Sequence, residues 1–118
     1  MNKIYHLSNC STCQRIIAEL GGPEGFEMQD IKTEKITPDQ LDFMKAASGS
    51  YEALFSRRAM KYKSMGLKDK QLSEQDYKNL ILEEYTFLKR PVIIIGEQVF
   101  VGNAKKTVEQ AKIALGIL

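Results

Sequence analysis

Apolar residues along the chain fall into blocks whose period switches between strand-like alternation and the helical spacing of three and four. "NKIYHL", residues 2–7, is short and rich in β-formers and halts at Ser8 and Asn9, which predicts a first strand. "STCQRIIAELGG" then places a hydroxyl residue, Ser11, at the helix N-cap, Ile16, Ile17 and Leu20 at helical spacing, and Gly21-Gly22 as a stop. "GFEMQDI", with Phe26 and Met28, reads as a second strand that breaks near Lys32, and "ITPDQLDFMKAAS" opens a helix with Thr37 ahead of Pro38 at the first helical position.

From Ser50 to Phe87 the apolar residues show no strand-like alternation. This stretch reads as helices joined by the turn signals "MGLKD" and "LSEQD", the second a capping box with Ser73 ahead of Asp76. "RPVIIIGEQVFVGN" holds two β runs, Val92–Ile95 and Gln98–Val101, joined by Gly96-Glu97 as a hairpin turn. "AKKTVEQAKIALGIL" closes the chain as an amphipathic helix with Val108, Ala111 and Leu115 on one side and Ile113 near its edge. The order β-α-β, helical insert, β-β-α predicts an α/β chain of thioredoxin-like fold. Its mixed four-stranded sheet has a parallel first pair and an antiparallel hairpin and is flanked by helices. Residues 1–118 are expected to form one domain with the helical insert at about 38–88.

Composition narrows this picture. A length of 118 residues suits one core, and 43% hydrophobic with 27% charged residues is a folding composition rather than a disordered one. Seventeen basic against fifteen acidic residues leave a net charge of +2, which gives no argument for direct binding of nucleic acid. No apolar run approaches a membrane span, and "MNKIYHLSNC" turns polar too early for a signal-peptide core, so the expected location is the cytoplasm. Thiols are kept reduced there.

Both cysteines of the chain, Cys10 and Cys13, sit in one four-residue stretch between the first strand and the first helix. Structural zinc needs four ligands, whereas this chain has one cysteine pair and a single histidine, His6, so no metal is expected within one chain. A disulfide across two intervening residues closes too small a loop to stabilise much. Two cysteines serving merely as small hydrophobes remain an alternative. A reactive pair has the stronger physical basis, because free N–H groups and the positive dipole end at a helix N-terminus lower a cysteine pKa from about 8.5 toward neutrality. Cys10, just before the first turn, is expected to be the exposed nucleophile. Cys13, one turn on and on the same side, is the candidate resolving thiol.

The same N–H groups suit an oxyanion. Ser11 and Thr12 are candidate donors to it or to the thiolate, as well as ordinary residues for a helix start. Arg57 and Arg58 in "LFSRRAMKY" and Arg90 in "FLKRPVIII" are candidate anion-binding arginines, since a guanidinium fork matches a tetrahedral oxyanion or a carboxylate. Solvated surface is the competing reading for Arg57, and it is the expected one for Lys89 and for the "KDK" of residues 68–70. The Arg90-Pro91 bond, opening a strand opposite the cysteine loop, is a cis-proline candidate.

These residues carry a resemblance. The cysteine loop after the first strand, the insert arginine ahead of an aromatic in "RRAMKY", "RPVII", the short hairpin and "VG" before the final helix together resemble the ArsC/Spx/YffB family of arsenate reductase-like proteins, in particular its small bacterial members. In the glutaredoxin-coupled arsenate reductases the motif is H-N-P-x-C-G-x-S-R, and His6 and Cys10 stand at its histidine and cysteine positions. The resemblance implies that Cys10 attacks arsenate, that His6 influences the thiolate, and that arginines steady the oxyanion. Arg90 matches the family's R-P arginine and Arg58 the insert arginine of the Spx and YffB branches. The loop "LSNCS" lacks the family's proline and glycine, and Asn103 in "VGNAKK" stands where the reductases carry a third arginine, leaving Lys105 or Lys106 as substitutes. Cys13 is at the spacing of the Spx regulators.

Two functions follow from the resemblance. The first is a thiol-dependent oxidoreductase acting on a small oxyanion or thiol substrate, with no bound cofactor and with electrons from glutathione, glutaredoxin or thioredoxin. The alternative is an Spx-like redox-sensing regulator that binds an RNA polymerase subunit through a Cys10/Cys13 disulfide switch.

Overall fold

Four strands make one mixed sheet in the spatial order β2-β1-β3-β4. A computed structural model describes residues 2–118. The strands are β1 (Asn2–His6), β2 (Glu27–Asp30), β3 (Val92–Ile95) and β4 (Gln98–Val101). β1 runs parallel to β2 and antiparallel to β3, and β3 pairs antiparallel with β4. Helix α1 (Ser11–Glu19) joins the parallel pair, and α5 (Lys105–Leu115) follows the hairpin. The chain thus has a thioredoxin-like fold, with a mixed sheet flanked by helices.

Alternation along each strand decides what α1 and α5 cover. Ile4 and Ile93 are cross-strand partners on one face, and they bury against Ile16 and Leu20 of the first helix and Val108 and Ala111 of the last. Met28, Ile95, Phe100 and Leu115 pack around that cluster. Each fully buried isoleucine contributes roughly 1.5–3 kcal/mol. Leu115 lies on this inner side as the helical spacing predicts, whereas Ile113 is 56% exposed. Lys3 and Tyr5 point to the opposite face and are buried too. Lys3 keeps its charge there through a 2.8 Å ion pair with its register partner Glu27 and a position over the Tyr5 ring.

The chain divides into two compact units, one made of the residues up to Glu34 together with Arg90–Leu118, the other Lys35–Lys89. The second unit holds α2 (Pro38–Ser48), α3 (Met60–Ser64) and α4 (Glu74–Glu83). Both longer helices start as the sequence predicts. Thr37 and Gln40 form a capping box ahead of Pro38, and Ser73 and Asp76 form another. Gly49 ends α2 in the left-handed region at φ 98°, where a side chain would be strained.

The expectation of helices throughout 50–87 needs correction. Only α4 is a sustained helix there; α3 has five residues, and Glu52–Leu54, Leu67–Asp69 and Tyr85–Phe87 are single 3₁₀ turns. Packing rather than helix length organises the segment. Phe55, fully buried, stacks on Phe87 at 4.9 Å and meets Tyr77 and Tyr62 at 5.0 and 6.0 Å. Phe55 and Leu88 also form an isolated antiparallel bridge, with Ser56 N–H donating to the Phe87 carbonyl and Lys89 N–H to that of Leu54. The second strand is likewise shorter than predicted, because Phe26 precedes it and the pairing with β1 ends at Asp30. No helix among the described residues is long and apolar enough to cross a membrane.

Candidate active site

β1 and β2 end together at the edge of the sheet where α1 begins. Ile4 pairs with Met28 and, two residues further, His6 pairs with Asp30, so these last two residues share the face on which α1 lies. The chain leaves β1 through Leu7, turns at Ser8-Asn9, and enters the helix with Cys10 N–H donating to the Leu7 carbonyl at 3.1 Å. The N-cap is Cys10 itself, with β-region dihedrals, and not Ser11 as the hydroxyl suggests. Ser11 is an exposed first-turn residue, and the Cys10 side chain at the N-cap makes no capping hydrogen bond of ordinary geometry.

That one-residue shift puts Cys10 itself at the helix start, where the first-turn N–H groups act on its sulfur without a formal capping bond. Burial alone pushes its pKa up. The backbone N–H groups of Cys13 and Thr12, the Cys13 thiol and the positive charge of Arg90 outweigh that, and the thiol is held below its ordinary value. Cys13 behaves in the opposite way. It is wholly inaccessible, and burial pushes it up to about 11, reinforced by the hydrogen bond and negative charge of Cys10 against the opposing effects of the Leu7 backbone and Arg90. One sulfur is thus prepared to ionise and the other to keep its proton. Both cysteines are free thiols, Cys10 half-buried and Cys13 buried.

Arg90 comes to the pair from the other end of the chain, immediately before β3. The Arg90-Pro91 peptide is cis, and Pro91 is buried with its carbonyl accepting from Gly102 N–H at 2.9 Å. Thr12 contributes its backbone N–H to Cys10, which is a role for its position rather than for its hydroxyl. His6 is half-buried, and its charge acts on Asp30, its register partner.

Arg57 and Arg58 belong to the second unit. Arg57 is engaged there: it pairs with Glu52 at 2.9 Å, donates to the Tyr77 hydroxyl at 3.0 Å and lies over the Tyr77 ring. Arg58 is exposed, its backbone N–H bonded to Ser56 Oγ at 3.3 Å. The structure therefore gathers Cys10, Cys13, Thr12 and Arg90 in the sheet unit. Asn103, Lys105 and Lys106 are exposed in that unit at the start of α5.

Two residues around the cysteine loop escaped the sequence reading. Asp30 Oδ2 accepts from Ser8 N–H at 3.2 Å and from the Ser8 hydroxyl, while Oδ1 accepts from Lys32 N–H at 2.9 Å. Gln14 Nε2 donates to the Ser8 carbonyl at 2.6 Å. The available signal was an Asp at the end of a parallel strand followed by turn residues, the edge at which sites collect in α/β sheets.

A mixed sheet of this order flanked by helices is a thioredoxin-like fold, and the two thiols at the start of its first helix form the candidate site. The model of the ArsC family matches residues 5–111, and the chain belongs to that family. Among solved structures it is similar to a YFFB protein, 20% identical over 98% of this chain and 99% of that one, with a TM-score of 0.80. An arsenate reductase from Vibrio cholerae is 25% identical over 99% and 97% of the two chains, with a TM-score of 0.71. A protein from Staphylococcus aureus is 26% identical over 93% and 97%, with a TM-score of 0.72. Among curated proteins none matches the chain.

Proposed function

We propose that the protein is a thiol-dependent oxidoreductase of the arsenate reductase kind. The observation that carries this is the division of labour between the two sulfurs: Cys10 is held toward the thiolate by helix N–H groups and Arg90, while Cys13 keeps its proton one turn away. The Cys10 thiolate attacks the arsenic(V) of arsenate, forming a sulfur–arsenic bond, and one arsenate oxygen leaves as water after protonation. Arg90 offsets the oxyanion charge, and the helix N–H groups contribute to the same end.

A second thiol then attacks the Cys10 sulfur. A disulfide forms, the electron pair of the sulfur–arsenic bond passes to arsenic, and arsenite departs. Cys13 or glutathione is that thiol, and glutaredoxin or thioredoxin returns the disulfide to thiols. The pKa of Cys13 supports its entry at this stage. Once Cys10 is bonded to arsenic its negative charge is gone, so two of the influences that raise Cys13 disappear and burial alone remains.

A second reading is favoured by the contact between the thiols and by Asn103 at the position of the reductases' third arginine. A protein whose cysteines already share a hydrogen bond is suited to a reversible disulfide, and the Spx-like alternative uses that bond as a redox switch read by an RNA polymerase subunit. Arsenate reduction by the purified protein, supplied in turn with glutathione plus glutaredoxin and with thioredoxin, separates the two. The reductase reading expects turnover that Cys10→Ser abolishes and a trapped mixed adduct in Cys13→Ser. Absence of turnover with every donor, together with reversible oxidation of the cysteine pair, favours the switch.

A further inference from the structure

We propose that Asp30 is a positioning residue for the reactive thiol, acting through Ser8 and Gln14; this rests on the reading of Cys10 as an activated thiolate. The turn that delivers Cys10 to the helix, Leu7 to Cys10, contains neither a proline to fix its backbone nor a glycine. In their place Ser8 is held from both sides. Its N–H and hydroxyl donate to Asp30 Oδ2, and its carbonyl accepts from Gln14 Nε2 on the first turn of α1.

The other carboxylate oxygen of Asp30 closes a turn onto Lys32 N–H, which fixes the carboxylate at the end of β2. The end of one strand, the turn after its neighbour and the first helical turn are thereby tied into one frame. The frame spans the two residues before the nucleophile. Ser8 is exposed, so the clasp is not a requirement of core burial. The Ser8 hydroxyl, followed by the N–H groups of Lys32 and Ser8 and the charge of His6, holds Asp30 below the usual carboxylate range, so it accepts as a full anion at neutral pH.

A thiolate gains from N–H donors only while the sulfur stays on their axis. Loosening the turn lets the sulfur drift from the Thr12 and Cys13 N–H groups and raises its pKa. Charge alone predicts the reverse, since removing a nearby carboxylate makes a thiolate easier to form. The sign of the response therefore distinguishes positioning from simple electrostatics.

The experiment is the pH profile of iodoacetamide alkylation at Cys10 in the reduced full-length protein, with the adduct located by mass spectrometry, for wild type, Asp30→Asn, Ser8→Ala, Ser8→Thr and the Asp30→Asn/Ser8→Ala double variant. Asparagine accepts on one side only, so it keeps either the Lys32 turn or the Ser8 clasp. Asp30→Asn is expected to move the profile to higher pH and to slow alkylation at neutral pH by roughly threefold or more as the thiolate fraction falls. Ser8→Ala moves it the same way by less, Ser8→Thr retains the wild-type profile, and the double variant is no worse than Asp30→Asn. A profile in Asp30→Asn and Ser8→Ala that is unchanged or shifted to lower pH overturns the positioning role and leaves the activated thiol standing. A wild-type Cys10 that itself titrates as an ordinary thiol overturns both. Ser8→Ala probes the clasp from its other end if Asp30→Asn fails to fold.

Discussion

Cys13 stands three residues beyond Cys10 on α1, where its backbone N–H and then its thiol favour ionisation of Cys10 while burial above all keeps its own proton in place. The pKa of the half-buried Cys10 falls and that of the buried Cys13 rises. Two identical side chains thereby differ in their readiness to ionise. Selective alkylation follows. Near neutral pH iodoacetamide should label Cys10 and leave Cys13 intact until the protein is denatured. Cys13→Ala removes the donor and should slow Cys10 labelling several-fold, and Cys13→Ser, which keeps a donor, should slow it less. Equal labelling of both cysteines in the native protein would contradict this arrangement.

Arg90 supplies charge to both sulfurs from the start of β3. Arg90→Lys keeps that charge but loses the fork, and Arg90→Gln loses both. The expectation is that Arg90→Lys retains the alkylation profile of Cys10, whereas Arg90→Gln shifts it upward. For oxyanion reduction both variants should fall, Arg90→Gln by about 10²–10³-fold in kcat/KM, the range for a lost oxyanion donor. Steady-state kinetics beside the alkylation profile separate the two contributions.

The raised pKa of Cys13 makes the fold sensitive to alkali. A folded state that holds its proton up to about pH 11 competes with an unfolded chain that releases it near 8.5. The stability that comes from keeping Cys13 neutral is therefore fully present below the unfolded pKa and is lost as pH rises from about 9 to 11. The loss is on the order of 3 kcal/mol. Cys10 has the opposite sign: its depressed pKa adds stability above the ordinary thiol value, lost as pH falls through the folded one. Urea denaturation under reducing conditions should show wild type losing more stability than Cys13→Ala between pH 9 and pH 11, and parallel loss in the two proteins would count against it.

Phe55 organises the second unit, stacked on Phe87 and tilted against Tyr77. Phe55→Ala should cost about 3–5 kcal/mol, measured as a fall in the urea midpoint. Thr37→Ala and Ser73→Ala each remove one side of a capping box and should cost roughly 1 kcal/mol. A Phe55→Ala protein as stable as the cap variants would show that the ring cluster is not the anchor of this unit.

Much of the fold is legible in short stretches because its signals act between near neighbours. Val92–Ile95 and Gln98–Val101 are strands at the predicted bounds, since apolar β-formers flank a Gly-Glu turn whose glycine sits at φ 63°. Thr37-Pro38 and Ser73 through Asp76 announce their helices because a cap is a bond across three residues. The C-x-x-C spacing likewise places Cys13 one turn behind Cys10. Where neighbours mislead, packing decides: Phe55 and Leu88 form a bridge amid apparent helix, because burying the Phe55 ring against Phe87 and Tyr77 outweighs weak local propensity.

What only the tertiary structure decided is which groups face the thiols. The hydroxyl at position 11 suggests a cap, yet the path out of β1 gives that place to Cys10, and this is why the first-turn backbone of Thr12 and Cys13 lowers its pKa. Asp30 reaches Ser8 across twenty-two residues only because β1 and β2 pair in parallel with His6 opposite Asp30. Arg90 acts on Cys10 only because β3 lies beside β1. Residue type and spacing determined the elements and the placing of the two cysteines at the start of α1; strand register determined their electrostatic surroundings, since charge acts through space and not along the chain.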